Sequence, residues 1–267
     1  MISFWLRLPA VEMLVALAFF FGAIAVCLVL FSFVLPTAPT IRSFRGVVAP
    51  FIGTIAVIFA ILLGFLANDI WGREQRAAAA VRAEAENLTS LLGLAETFGL
   101  PADSLKIAVR GYADAVVTKE WPSMEDGNSA PEADRALDRL LKTIARFDLS
   151  SAGNADFRRL LLNAGIAVSS ARNERLRLSR DESEALKWLL VLVLAVACQI
   201  TVAIVHLDTI RPQIAALSLL TASLIFVLGL LALYDAPFSP PLVVAPEPLV
   251  QVLSSLNGIK TAPEPAR

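Results

Sequence analysis

Four long runs of apolar residues without a single charge constrain this chain more than any other feature. They cover residues 13–35, 47–67, 188–207 and 213–234 and are 23, 21, 20 and 22 residues long. A bilayer has a hydrocarbon core about 30 Å thick, so a helix rising about 1.5 Å per residue needs about 20 residues to cross it. The sequence therefore predicts four transmembrane helices, with limits near 11–35, 47–70, 188–207 and 213–234.

Charged residues are concentrated between the second and the third run. Residues 72–187 hold 35 of the 47 charged side chains, of which 17 are basic and 18 acidic. This predicts an N-terminal segment with two spans at 1–71, an inserted domain at 72–187, two spans at 188–235 and a proline-rich tail at 236–267. A nucleic-acid-binding domain would carry a basic surplus, so nucleic acid is excluded as a partner.

Basic residues near the ends of the spans predict the orientation. Four spans place both termini and the 72–187 domain on one side of the bilayer. That side carries nine such residues, against three on the other side, and cytoplasmic loops are the ones enriched in Lys and Arg. The nine are Arg7, Arg73, Arg76, Arg82, Arg172, Arg175, Arg177, Arg180 and Lys187, and the three are Arg42, Arg45 and Arg211. We therefore expect a multi-pass protein of the plasma or inner membrane, with cytoplasmic termini and a cytoplasmic domain.

The inserted domain has helical periodicity throughout, which predicts an all-α fold. Apolar stripes indicate helices that begin in the second span and end near Phe98, then run over 103–121, 132–147 and from 154 through the third span without a breaker. A loop is expected over 122–131. The tail has apolar positions from Leu249 to Leu256, which predict one short amphipathic helix on the membrane surface or on the domain.

No constellation of catalytic or metal-binding residues is recognisable. The sequence lacks nucleophile-elbow, phosphate-loop and zinc-binding motifs, and it has one histidine and two cysteines. Glu84 and Glu86 are two positions apart on a predicted helix, so they point in different directions and are interpreted as part of a solvated face. We therefore expect no enzyme activity, no cofactor and no metal.

Two sets of residues are candidates for handling anions. Arg42 and Arg45 on the outer side, and Arg172 and Arg175 in an arginine-rich helix of the domain, would attract anions. The alternative for the domain arginines is ordinary positive-inside bias or contact with anionic lipid.

The second span is the best candidate for a pore lining because small residues interrupt its apolar sequence, although such residues also serve close helix packing. At its inner end Asp69 needs a basic partner, for which Arg73 is one turn away.

Several short motifs, in this order, resemble those of the bestrophins and of the bestrophin-like membrane proteins. The second span ends in Leu62-Leu63-Gly64-Phe65-Leu66-Ala67-Asn68, in which Gly64, Phe65 and Asn68 match. The domain contains Glu120-Trp121-Pro122, and the fourth span is followed by Asp235-Ala236-Pro237-Phe238. The resemblance extends from about residue 45 to about residue 256. It implies a homo-oligomer, in particular a pentamer, with the second span lining a central pore for chloride and other monovalent anions.

Two features of the sequence depart from the pattern of the family. Bestrophin pores narrow at bulky residues spaced four apart beside a proline, whereas the positions matching that register here are Ala49, Gly53 and Val57. The bulky alternative on another face is Phe51, Ile55 and Phe59. No acidic cluster follows Asp235, so calcium activation is not expected. The competing hypothesis is a non-conducting membrane sensor or scaffold that acts through its cytoplasmic helical domain.

Overall fold

The computed structural model of the 267-residue chain describes residues 10–36, 38–43, 49–98, 102–146, 155–180, 185–238 and 243–258. All regular secondary structure in these residues is helical, as the sequence predicts. The helices are α1 (Ala10–Phe33), α2 (Ala38–Arg42), α3 (Ala49–Thr97), α4 (Asp103–Ala115), a π-helical turn (Val116–Glu120), α5 (Trp121–Met124), α6 (Pro131–Ala145), α7 (Ala155–Arg180), α8 (Ala185–Val205), α9 (Ile210–Tyr234) and α10 (Glu247–Gly258).

The chain divides into two compact units. The first, which we call the apolar unit, contains residues 1–72 and 182–236, and the second, the helical domain, contains 73–181 and 237–267. Helix α3 has residues in both. Four stretches of the described helices are long and apolar enough to cross a bilayer: α1, the first part of α3, the stretch ending with α8, and α9. The predicted spans coincide with these helices to within a few residues at most ends.

The interior of the apolar unit contains large apolar side chains and a few buried side-chain amides. Phe21, Leu66, Ile70 and Trp188 belong to one buried cluster. Gln199 of α8 is fully buried, and its Nε2 donates hydrogen bonds to the Thr221 hydroxyl at 2.8 Å and to the Phe21 carbonyl at 3.2 Å. Such amides hold apolar helices together because hydrocarbon offers a polar group no other partner.

A second such amide joins α8 to the start of α9. The Nε2 of Gln213 donates to the Ala203 carbonyl at 2.8 Å. The two glutamines therefore fix α8 to its neighbours at two levels, a role that the hydropathy of the sequence did not reveal.

The helical domain has its own apolar core, built from α4, α6, α7, α10 and the second half of α3. Leu249, Val252 and Leu256 of α10 are buried in this core, and Arg110 donates to the Leu256 carbonyl at 2.8 Å. Of the two locations that the sequence left open for the tail helix, the domain is therefore the observed one.

One sequence expectation about helix limits is revised, and a second falls partly outside the described residues. Trp121–Met124 is helical, so the predicted loop begins after Met124, and Pro122 lies within this short helix. The helix expected to run unbroken from 154 through the third span is observed as α7 and α8, and the junction at 181–184 lies outside the described residues.

Candidate functional site

Five ionisable side chains form a buried charge cluster inside the helical domain. They are contributed by α3, α4, the π-helical turn and α7, and none is more than 4% exposed to solvent. The members are Glu84, Tyr112, Glu120, Arg172 and Arg175. Charged groups are buried only when they are paired and hydrogen-bonded, so the geometry of the partners decides what this cluster does.

Arg175 lies at the centre of the cluster. Its Nε and Nη2 donate to the two carboxylate oxygens of Glu84 at 2.7 and 3.1 Å, which is the two-pronged geometry that suits a guanidinium and a carboxylate. Its Nη2 also donates to Glu120 at 2.8 Å. The Tyr112 hydroxyl completes the site by donating to Glu84 Oε1 at 2.5 Å. One guanidinium thus holds α3, α7 and the π-helical turn together.

Arg172, one turn before Arg175, binds the other side of Glu120. Its Nε lies 3.1 Å from Glu120 Oε1, and its Nη2 donates both to Glu120 Oε2 and to Asp134 Oδ1, the latter at 2.6 Å. The Asp134 side chain is 56% exposed, so the cluster reaches the surface only here. The two buried arginines are therefore matched by two buried carboxylates, with a third carboxylate at the rim.

The cluster changes the titration of its members. Burial, and then the negative charge of Glu84, raises the pKa of Tyr112 well above its ordinary value of 10.0. Burial by itself would lower the pKa of Arg175, but the charge of Glu84 and the hydrogen bonds to it outweigh burial, so the pKa of that guanidinium is raised. The tyrosine therefore remains a hydrogen-bond donor and the arginine remains charged.

The π-helical turn positions Glu120 for these contacts. A π-turn contains one extra residue, so it rotates the residues after it back by about 100° relative to a regular α-helix. Glu120 thereby lies on the same face as Tyr112, eight positions earlier, instead of beside it. Pro122, two residues after the last residue of the turn, has no N–H with which to continue the α-helical hydrogen-bond ladder, and this is the sequence signal for the irregularity.

Two residues of the family motifs flank the cluster with their rings. Trp121 and Phe238 make an edge-to-face contact with ring centroids 5.7 Å apart, and the Arg175 guanidinium lies 5.3 Å from the centroid of the Trp121 ring. Phe238 therefore meets Glu120 and Trp121 in one place, although it follows them by more than 100 residues in the chain. Pro237 is buried beside them, and its carbonyl accepts from the Val244 N–H at 2.8 Å.

The interpretation of Glu84 as part of a solvated face is wrong. Glu86 is exposed, as expected, but Glu84 is fully buried because Arg175 and Tyr112 provide it with partners. Arg175 pairs with Glu84 and Glu120, and Arg172 pairs with Glu120 and Asp134, so the charges of both arginines are neutralised within the domain. Their predicted role in attracting anions stays a prediction, whereas their role in joining helices is evident from the contacts.

Helix α3 is the second notable feature, because one of its faces is buried along most of its length. The buried positions follow one another at intervals of three or four residues from the apolar unit into the domain, the spacing of a helix that packs along a single face. They are Leu66, Ile70, Arg73, Ala77, Ala80, Glu84, Leu88, Leu91 and Ala95.

The opposite face of α3 is exposed and allows the two candidate pore registers to be compared. Gly53 and Val57 are exposed, with Val57 at 58%, while Phe59 packs against the core of the apolar unit and Ile55 is half-buried. The side chains of Ala49 and Phe51 lie outside the described part of the chain. Within one copy of the chain, the small register therefore lies on the unoccupied face and the bulky one on the packed face.

The remaining sequence candidates lie near the ends of the spans. Asn68 and Phe65 are exposed, and Gly64 has open space around it, so no contact within the described residues explains the choice of glycine there. Asp69 forms an ion pair with Lys187 of α8 at 3.2 Å, a partner that spacing along one helix could not indicate.

Arg42, Arg45 and the turn after α9 complete the set of sequence candidates. The Arg42 guanidinium lies 5.1 Å from the centroid of the Phe33 ring, and Arg45 lies outside the described residues. Asp235 is buried directly after α9. No group of three or more His, Cys, Asp or Glu side chains in the described ranges is arranged to hold a metal ion.

These features define an all-helical protein with long apolar helices and with a helical domain whose helices are joined by buried ion pairs. The chain belongs to the bestrophin-like family, whose domain model matches residues 18–249. The resemblance read from the sequence motifs is therefore confirmed.

Two solved structures share the fold. One is a bacterial bestrophin homologue from Klebsiella pneumoniae carrying a point mutation, with a TM-score of 0.68 and 12% identity over 92% of this chain and 99% of that one. The other is a membrane protein, also a point mutant, with a TM-score of 0.68 and 13% identity over 92% and 98% of the two chains. No curated protein matches the chain.

Proposed function

We propose that this chain forms a homo-oligomeric, passive channel for chloride or other monovalent anions, in which the second transmembrane helix lines the pore. We take the oligomer to be a pentamer with four spans per subunit, and the termini and the 72–187 domain to be cytoplasmic. Membership of the bestrophin-like family supports this function. The excess of Lys and Arg on the domain side of the spans supports the orientation.

The observation that carries the proposal is the unoccupied face of α3. Only 11% of the apolar part of this helix is buried within one copy of the chain, the same share as for α1 and less than the 33% of α9. This face carries Gly53, Val57, Ile61 and Gly64, and a side chain at either glycine would meet only open space within one copy of the chain. Repeated around an axis, such a face would surround a narrow apolar path with enough space for an ion.

Two further features suit an anion. The apolar part of α3 contains no carboxylate between its start at Ala49 and Asp69, so nothing along this stretch would repel a negative charge. A helix carries partial positive charge at its N-terminus, and that end of α3 would face the outer mouth together with Arg42 and Arg45. Transport along such a path would follow the electrochemical gradient.

Halide flux from liposomes that contain the purified oligomer tests the proposal. We expect flux well above that of empty vesicles, and we expect Val57→Trp to reduce it strongly because the indole would fill the path. Gly53→Trp should act in the same direction.

Val15→Trp is the matched control, because Val15 of α1 is 62% exposed, similar to Val57. It should leave flux within about twofold of the wild type if α1 faces lipid. An intact oligomer without flux would contradict the channel and favour the non-conducting sensor or scaffold. Equal inhibition by both tryptophans would contradict the assignment of the pore to α3.

A further inference from the structure

An open cavity lies between α4 and α6, entirely within the helical domain. Its volume is about 380 Å³, which falls in the range of roughly 300–1,000 Å³ that small-molecule sites occupy. Its apolar lining includes Ile107, Ala108 and Gly111 of α4 and Ala136 of α6. Ile107 is 72% exposed, more than any other large apolar side chain described in this domain. The described residues of the domain therefore leave an apolar surface uncovered here.

Basic side chains line the same cavity. Arg139 and Lys142 belong to α6, and Arg146 directly follows that helix. Their spacing of three and four residues places them on one face, where like charges repel one another. The positions three and four residues from Arg139, in either direction, hold no acidic residue. This face of α6 therefore lacks negative charge of its own.

Nearby carboxylates compensate only part of the positive charge. Lys142 pairs with Asp138, with 2.6 Å between Nζ and Oδ2. No carboxylate in the described ranges lies within ion-pairing distance of Arg139 or Arg146. Asp114 and Asp138 line a neighbouring cavity of about 630 Å³, whereas the described lining of the first cavity contains no acidic residue. Two uncompensated guanidinium groups therefore lie beside the apolar surface.

We propose that this cavity binds a small organic phosphate, whose phosphate group pairs with Arg139 and Arg146 and whose apolar body covers Ile107. A phosphate monoester carries about two negative charges at neutral pH, which matches the two guanidinium groups. Its oxygens accept the paired hydrogen bonds that an arginine donates. The two arginines are about 10 Å apart along the helix, a distance that two extended side chains can bridge.

The lining favours a soluble ligand over a membrane lipid. Ile107 is the only large apolar side chain among the described lining residues, so the cavity has no surface that would enclose an acyl chain. The hydroxyl of Ser104, which is also part of the lining, can donate a further hydrogen bond to a phosphate oxygen. The site does not depend on the proposed channel function.

Titration of the detergent-purified full-length protein with phenyl phosphate, followed by ligand-observed NMR, tests the proposal. We expect a Kd of about 1 mM or below. Inorganic phosphate and phenyl sulfate should each bind at least about fivefold more weakly, because the first lacks the apolar body and the second lacks the second charge.

Variants of α6 test the basic side of the cavity. Arg139→Gln should weaken the binding of phenyl phosphate by at least about tenfold, because it removes a charged hydrogen-bond donor. Arg135→Gln is the matched control: Arg135 lies one turn earlier on the same helix, pairs with Glu132 and lines only the neighbouring cavity. It should leave the Kd within about twofold of the wild type.

A glycine substitution separates binding from folding. A side chain at Gly111 would meet no atom within 4 Å, so Gly111→Leu should extend into the cavity and abolish binding. It should not lower thermal stability, because leucine has a higher helix propensity than glycine. Gly93→Leu, at an equally open glycine of α3, is the control and should leave binding unchanged.

Binding of phenyl phosphate that survives either Arg139→Gln or Gly111→Leu would overturn the proposed site, as would the absence of binding at about 10 mM. Tighter binding of dioctanoyl phosphatidic acid than of phenyl phosphate, lost in the same two variants, would assign the cavity to a lipid and overturn the choice of a soluble ligand. These measurements involve no ion flux, so their failure would leave the channel proposal unaffected.

Discussion

Glu84 is the residue on which the buried charge cluster most depends, because its carboxylate accepts hydrogen bonds from both Arg175 and Tyr112. Glu84→Gln would leave Arg175 buried with only part of its charge compensated. Breaking one partner of a buried pair typically costs about 3–5 kcal/mol, so we expect a loss of roughly 3 kcal/mol in the free energy of unfolding. Thermal unfolding of the detergent-purified protein measures it.

Glu86→Gln provides the comparison, because Glu86 is exposed on the same helix and should change stability by less than about 0.5 kcal/mol. Equal losses for the two variants would show that Glu84 contributes no more than a surface residue.

Local sequence patterns could not reveal this cluster. The partners of Glu84 are 28 and 91 residues away in the chain, whereas a periodicity argument compares residues within a few turns. The family motif did single out Glu120 and Trp121, but not what they contact. Composition misleads here as well, since a charged residue on a helix of a polar domain is usually solvated.

At the scale of elements, the π-helical turn between Val116 and Glu120 leads to a prediction about chain length. The turn contains one residue more than an α-helix needs, so removing the exposed Thr118 should produce a regular helix and leave Glu120 on the same face. We expect this deletion to lower stability by no more than about 1 kcal/mol.

Deleting the exposed Asp138 of α6 is the corresponding control in a regular helix. That deletion would rotate Leu140 and Ile144 out of the core by about 100°, so we expect the domain to lose at least about 3 kcal/mol or to fail to fold. Denaturation of both deletion variants under the same conditions decides the matter, and equal damage would contradict the proposed role of the turn.

Helices were predicted well wherever one periodicity persisted. The limits of α1, α6 and α9 agree with the expected segments to within a few residues, and the continuation of the second span into the domain is observed as the single helix α3. The failures lie where periodicity changes, at the π-helical turn and at Pro122. A pattern that assumes 3.6 residues per turn has no means of representing a wider turn.

At the scale of the whole molecule, the exposure of α1 and of the first part of α3 indicates what other copies of the chain or lipid must cover. The proposed assembly places the α3 face near a symmetry axis. Ile61→Cys in a Cys27→Ala background should therefore form disulfide-linked dimers on mild oxidation, because Ile61 lies on that face and is 53% exposed.

Val193→Cys on α8 is equally exposed in one copy of the chain, at 56%, but it is not on the proposed axis. It should stay monomeric on a non-reducing gel. The reverse result would place α8 at the centre of the oligomer and remove the basis for the pore. A ladder of five bands with an amine-reactive cross-linker would support the pentamer.

The hydropathy of the chain was sufficient to predict which segments could cross a membrane, because an apolar stretch of about 20 uncharged residues has the length and composition of a membrane-spanning helix. Hydropathy could not show which face of the second span is free, because that depends on which side chains of other helices pack against Phe59 and Leu66. Once those neighbours are known, Gly53 and Val57 are found on the exposed face of the apolar part of α3.

The unbroken course of α3 also limits how this chain can change over evolution. Val57 and Glu84 are separated by 27 residues, or about seven and a half turns, which places them on opposite faces of the helix. Inserting or deleting one residue between them would rotate one position relative to the other by about 100° around the helix axis. Insertions or deletions of seven or eleven residues come close to whole turns and would keep the two positions on opposite faces. Relatives should therefore preserve the length of this interval, or alter it by whole turns, even where its sequence has drifted beyond recognition.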